Sequence, residues 1–360
     1  MNGSAESPFK SVRLSVLPVL CATLFPPSFA CLFKHILSLP NPAHTARPLT
    51  SMLENIAFEF AGLVALADFT VAAVRTTLTG ASSYMDALLL VPGMHCQQSA
   101  CDHSIRKINC NELPMVGSIA TGYIFPLENP AIVSYLQSIG RTGHLVTVKV
   151  SLHPIHNAEL SFTDRSMRSF FVTGIPATLL YLLGPTLTVV TVVFLGAIQD
   201  WRGIGVIATF MLSRLINVVV VRRRSKRWEV VRQFDVEDVL LVLLSQDRWF
   251  RLQGISDDLK IITSRQWREK SAAEGLAVSF ARLLVYIAVG LCPFASTLGT
   301  LTIACLLLCS SALLGLCNFL TLCLQVFNYV VRVEGKPRRY QGKNAMANEM
   351  IDKSGRHGGH

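Results

Sequence analysis

Residues Leu283–Val331 read LLVYIAVGLCPFASTLGTLTIACLLLCSSALLGLCNFLTLCLQVFNYVV, 49 consecutive positions without Asp, Glu, Lys or Arg. A transmembrane helix needs roughly 20 apolar residues, so this run is long enough to cross a bilayer twice. Pro293, Ser296 and Gly299 cluster inside it, which predicts the break between two spans near 294–300. The reading is a membrane hairpin over 276–331 and a polar tail over 332–360, with one short helical stretch near 345–353.

The same signal recurs upstream. Phe170–Ile198 is a long apolar stretch interrupted by Gly174, Pro176, Gly184 and Pro185, and Gly203–Val221 follows after the polar turn Asp200-Trp201-Arg202. Together they predict a hairpin over 170–221. Leu14–Phe33 carries no charge and follows Lys10 and Arg13. It is longer than an ordinary signal-peptide core, so it reads as an uncleaved first span. Ile56–Val74 is a weaker second span, since it contains Glu59 and Asp68. The fold class expected is therefore mainly α: a polytopic membrane protein of about six spans, with its first hairpin within 1–91.

Composition agrees. Of 360 residues, 51% are hydrophobic and 16% are charged, against about 25% charged in soluble domains. This excludes a soluble enzyme, a disordered chain and a secreted disulfide scaffold. Seven of the ten cysteines lie in apolar runs, and the other three (Cys96, Cys101, Cys110) share one loop, an odd number for a disulfide framework. The net charge is +10, but its basic residues sit beside apolar runs. The lipid bilayer is the partner this implies; no nucleic-acid motif accompanies it.

Sidedness follows from the basic residues. Val221 leads straight into Arg222, Arg223, Arg224, Ser225, Lys226 and Arg227, and Val331 into Arg332, Lys336, Arg338 and Arg339. Both flanks are expected in the cytosol, as are both termini. The loops 92–169 and 222–275 then share that face. His144–Leu152 alternates Val146, Val148, Val150 and Leu152 with Leu145, Thr147, Lys149 and Ser151, a period-2 strand. Asp238–Leu244 and Trp249–Leu252 flank the turn Ser245-Gln246-Asp247 and predict a hairpin, with Gly254 breaking the chain after it. A small cytosolic α+β subdomain is the expectation.

Candidate site residues fall in two groups. Ionisable side chains within spans tend to face a partner or a cavity. Asp68 and Arg214 are expected to pair or to line one, whereas Glu59 lies on the opposite helix face from Asp68. On the cytosolic face the candidates are Asp247, Arg248, Trp249, Asp257, Asp258 and Trp267, whose alternative role is to hold the hairpin together. Asp257-Asp258-Leu259-Lys260 lacks the third carboxylate of a metal–diphosphate motif. His95, Cys96, Cys101, His103 and Cys110 match no standard zinc spacing. No metal and no cofactor is expected, and no catalytic residue is assigned.

One stretch resembles a known group. Leu241 to Gly254 (LVLLSQDRWFRLQG), with Asp257-Asp258-Leu259-Lys260 and Thr263-Ser264-Arg265-Gln266-Trp267, is similar to a family of filamentous-fungal integral membrane proteins. So are Arg214-Leu215-Ile216-Asn217 before the Arg222–Arg224 exit and Val333-Glu334-Gly335-Lys336-Pro337 after the last span. Lys336 stands where the family pattern has a proline. The resemblance covers roughly 200–360. It implies an endomembrane protein, of the endoplasmic reticulum or a related organelle. It also implies an accessory or scaffold role beside other membrane-associated enzymes of secondary metabolism, of terpenoid or indole-diterpene (paxilline-type) character. A membrane terpene cyclase and a small-molecule transporter are the rivals.

Overall fold

The computed structural model describes residues 67, 70–98, 105–119, 121–154, 172–225, 236–264, 267–321, 323–327, 329–342 and 349. The predicted span 14–33 lies outside them, as do Glu59, Asp68 and most of 56–74. The described residues are mainly helical, and among them are four helices long and apolar enough to cross a membrane and one mixed sheet.

In chain order the elements are α1 (Val71–Thr79), α2 (Ile105–Ile108), β1 (Met115–Ser118), β2 (Ile124–Pro126), α3 (Pro130–Ile139) and β3 (His144–Leu152). The long helices α4 (Ile175–Ala197) and α5 (Trp201–Ser225) follow. Next come β4 (Glu237–Leu244), β5 (Arg248–Ile255), α6 (Ser256–Thr263), and the long helices α7 (Ala272–Leu291) and α8 (Thr297–Leu320). The chain then returns to the sheet as β6 (Cys323–Val326), β7 (Tyr329–Val333) and β8 (Arg338–Arg339).

The sheet runs β2-β1-β4-β5-β3-β7-β6, with β8 on β3. Among the described strands only β3 and β5 pair in parallel; Leu145 lies beside Trp249 and Lys149 beside Gln253. Parallel neighbours need a crossover, and here it passes through α4, α5 and β4. Val146, Val148 and Val150 turn to one face, where they share a core with Phe250, Leu252 and Val331 and with residues of α3 and α6. Asn129 caps α3 by accepting from the amides of Ala131 and Ile132, while its own amide donates to the Ile262 carbonyl at 2.8 Å. That one side chain starts α3 and ties it to α6.

Two boundaries differ from expectation. The charge-free run predicts a span reaching Val331, but α8 ends at Leu320 and the rest forms the β6–β7 hairpin. Apolar character alone cannot separate a membrane helix from a strand buried in a sheet core. Gly254 does not end the hairpin either. It lies inside β5, where a Cβ would come within 3.2 Å of Val150 Cβ; the glycine permits close packing on β3.

The four long helices pack chiefly as two pairs, α5 with α7 and α4 with α8. Their far turns are tied by Asp200. Its carboxylate accepts from Ser296 N at 2.9 Å, from Ser296 Oγ, and from Gly203 N at 3.0 Å. A Cβ at Gly299 would collide with it. Burial opposes this charge, but the hydrogen bonds from Ser296 and Gly203, with Arg202 nearby, outweigh it and hold the carboxyl below the usual carboxylate range. Such a group stabilises the fold above its unfolded value of about 3.9 and loses that contribution as pH falls through its lower folded value. Asp200→Asn is expected to cost about 1–2 kcal/mol at neutral pH. In thermal melts of detergent-solubilised protein, its deficit against the parent should close below about pH 4.

Candidate functional site

Helix α5 buries one stripe: Phe210, Ser213, Arg214, Asn217, Val221 and Arg224. Their spacing follows the 3.6-residue helical period, but four of the six are polar or charged. Three of the polar side chains reach out of the helix, and the Asn217 amide donates to the Ser213 carbonyl within it at 3.2 Å. Ser213 Oγ donates to the Ala281 carbonyl of α7 at 2.7 Å. Arg214 is 1% exposed; its Nε donates to the Asp86 carbonyl at 3.2 Å and its Nη1 to Gln97 Oε1 at 2.7 Å. Arg224 Nη1 donates to Gln98 Oε1 at 3.1 Å, and its Nε to the Arg268 carbonyl at 3.0 Å. Gln98 Nε2 closes the set on the Asn217 carbonyl at 3.4 Å.

The partners of Arg214, and Gln98 as a partner of Arg224, come from 82–98, a segment without a long helix that enters the bundle. Ser83 and Asp86 form a capping box over the short 3₁₀ turn Tyr84–Leu88. The Leu88 carbonyl accepts from Thr188 Oγ1 at 2.7 Å. Thr188 is thirteen residues into α4, so the segment reaches about 20 Å along that helix at 1.5 Å per residue. Leu89 seats on Gly184, where no Cβ would fit. The glycine that interrupts the sequence of α4 is thus its docking notch. Leu90 and Met94 join an apolar cluster with Leu195, Phe210 and Val285. Non-helical backbone at such depth is tolerated only where protein or a cavity covers it; here α4 and α5 do so. The chain returns through Gln97, whose Nε2 donates to Thr76 Oγ1 at 3.0 Å and Ser82 Oγ at 3.1 Å.

A carboxylate accompanies the arginine without touching it. Asp86 Oδ2 accepts from Ser83 N at 2.8 Å and Oδ1 accepts from Tyr181 Oη at 2.7 Å. Asp86 nevertheless acts electrostatically on Arg214. Arg75 lies 5.1 Å from the Tyr181 ring centre and donates to Thr321 Oγ1 at 3.3 Å. The arrangement is a set of fixed donors and acceptors that binds four elements together.

Arg214 is buried at the centre of this network, and its described partners are Gln97 and Asp86. The expected pairing partner, Asp68, lies outside the described residues. The six cytosolic-face candidates fall in the β4–β5 turn, in β5, in α6 and in the connection from α6 to α7. Asp247 sits in the β4–β5 turn at φ 52°, its carbonyl accepting from Gly143 N at 2.8 Å. Arg248 Nη1 donates to the Gln137 carbonyl at 2.9 Å and to its side-chain oxygen. Trp249 is buried against Leu145, with Tyr340 edge-on at 6.5 Å. Asp257 and Asp258 form the first turn of α6, Asp257 pairing with Lys260 at 3.6 Å. Trp267 is buried against Val221 of α5. Their described contacts join turns and helices of the sheet region, except that Trp267 packs on α5. Among the described residues no three His, Cys, Asp or Glu side chains gather to hold a metal; Cys101 and His103 lie outside them.

Sequence reasoning missed Asp86, Gln97, Gln98 and Tyr181. Gln97 and Gln98 carry no charge, and nothing local marks them as partners of arginines more than a hundred positions away. The Ser83-to-Asp86 spacing was the one available signal. No protein-family model, no curated protein and no solved structure matches the chain.

A buried cation stripped of its acceptor costs more than the loss of both groups. Gln97→Leu alone is expected to destabilise by about 3 kcal/mol, and Gln97→Leu with Arg214→Met by clearly less. Thermal melts of the two variants against the parent check this order; a double variant no better than Gln97→Leu would refute it.

Proposed function

We propose that this chain is a multi-pass membrane protein with its sheet in the cytosol, serving as an accessory or scaffold beside the enzymes of a membrane-associated pathway. The supporting observation is the use made of the buried ionisable groups. Arg214, Arg224 and Asp86 spend their described hydrogen bonds on joining 82–98 to the bundle and to Arg268, which suits a rigid platform. The basic ends of α5 and β7–β8 favour the cytosolic side. Six spans would follow if 14–33 and 56–74 both cross. The endomembrane setting and the terpenoid or indole-diterpene character rest on the resemblance over 200–360.

A transporter is the second reading, favoured by the non-helical segment at membrane depth. The apolar cluster around Leu90 and Met94 weighs against a continuous polar path in this conformation.

Deletion of the gene followed by metabolite profiling is expected to deplete terpenoid end products, with an upstream intermediate accumulating. An unchanged profile overturns the pathway role. Turnover of a polyprenyl epoxide by the purified protein would replace it with a cyclase, and tracer flux in vesicles with a transporter. For sidedness, Cys110 is exposed on the sheet region. A membrane-impermeant maleimide should label it in sealed, cytosol-side-out microsomes, with Cys110→Ser as control. Labelling that requires detergent puts the sheet in the lumen.

A further inference from the structure

We infer that Arg222 and Tyr84 form a seat for the phosphate of an anionic lipid headgroup, at the end of the bundle that meets the sheet, with the exposed Arg223 adding positive charge beside it. The guanidinium carbon of Arg222 lies 4.1 Å from the Tyr84 ring centre. Arg222 and Arg223 donate no hydrogen bond from their side chains and make no ion pair among the described residues. Arg224, next in sequence, is buried and committed to Gln98 and Arg268. So one arginine of the triplet belongs to the fold, and two present their donors outward.

Stacking on an aromatic face fixes a guanidinium in one plane and leaves its N–H edges available. Those edges match phosphate oxygens in a bidentate manner. Tyr84 is 60% exposed and its neighbour Met85 is 56% exposed. An apolar side chain beside the phosphate seat suits a lipid, which brings glycerol and acyl carbons with it, better than a free ion.

Depth supports the same source. Trp201 is 68% exposed and Phe294 is 63% exposed at the far turns, where Arg202 donates to the Phe294 carbonyl at 3.3 Å. Aromatic side chains favour membrane interfaces. From Trp201 to Arg222 along α5 is twenty-one residues, about 32 Å at 1.5 Å per residue. The hydrocarbon core is about 30 Å thick. With Trp201 at one interface, Arg222 and Tyr84 reach the headgroups of the other.

The inference rests on bilayer insertion and not on the pathway role. The test uses the full chain in nanodiscs containing equal phosphatidylserine and phosphatidylcholine, released for native mass spectrometry. The parent is expected to retain phosphatidylserine in preference. Tyr84→Leu keeps every charge and should lower that retention about two- to fivefold, the range of an exposed cation–π contact. Arg222→Gln should lower it further. Equal retention of the two lipids, or a Tyr84→Leu variant indistinguishable from the parent, overturns the seat. Loss of phosphatidylserine in excess inorganic phosphate would assign the site to free phosphate instead. A chain that fails to enter the nanodisc counts against insertion itself. If Arg222→Gln does not insert, Tyr84→Leu still decides.

Discussion

A guanidinium cannot shed its proton in a protein interior, so Arg214 carries a full charge into the middle of a bundle of apolar helices. That single fact constrains everything around it. Burial of an uncompensated cation costs several kcal/mol, and α5 alone has nothing to offer, since its own carbonyls are engaged along the helix. The acceptors must be brought in from elsewhere. The chain supplies them by folding 82–98 between the helices, so that Gln97 and the Asp86 carbonyl meet the charge. An irregular segment at that depth then needs its own peptide groups satisfied. The capping box at Ser83 and the Thr188 hydroxyl on the Leu88 carbonyl meet part of that demand.

The two helix pairs are consequently joined through an intermediary. Contacts between α4 and α5 are modest, and α5 touches α8 only slightly; the inserted segment fills what lies between. Its contacts are mixed in kind. Toward α5 they are polar, through Arg214 and Arg224. Toward α4 they combine Tyr181 and Thr188 with the shape fit of Leu89 on Gly184. Polar contacts fix register, because a shift of one residue leaves a charge without its acceptor. Apolar contacts fill volume.

Much of the architecture is legible in the residues, and the failures have physical causes. The helices at 175–197 and 201–225 announce themselves because long apolar runs in a chain so poor in charge are what a bilayer core demands. The alternation of 144–152 is equally plain and corresponds to β3. The end of α8 is not legible. Residues 321–331 carry no charge, like the helix before them, and strands buried on both sides read as apolar runs much as membrane helices do. β1 and β2 are four and three residues long, too short for any periodicity to register. Of the central site, Arg214 is visible because a charge stands out in an apolar stretch. Gln97 and Gln98 are not, because their importance lies in an acceptor oxygen placed by long-range folding.

Helix α8 ends at Leu320 and β6 begins at Cys323, so two residues separate a long apolar helix from the edge of an eight-stranded sheet. A connection of two residues leaves little slack between them. If α8 rotates about its axis or changes tilt, the β6–β7 edge must turn with it, and β7 carries the motion to β3 at the parallel seam with β5. The orientation of the sheet edge and that of α8 are therefore coupled.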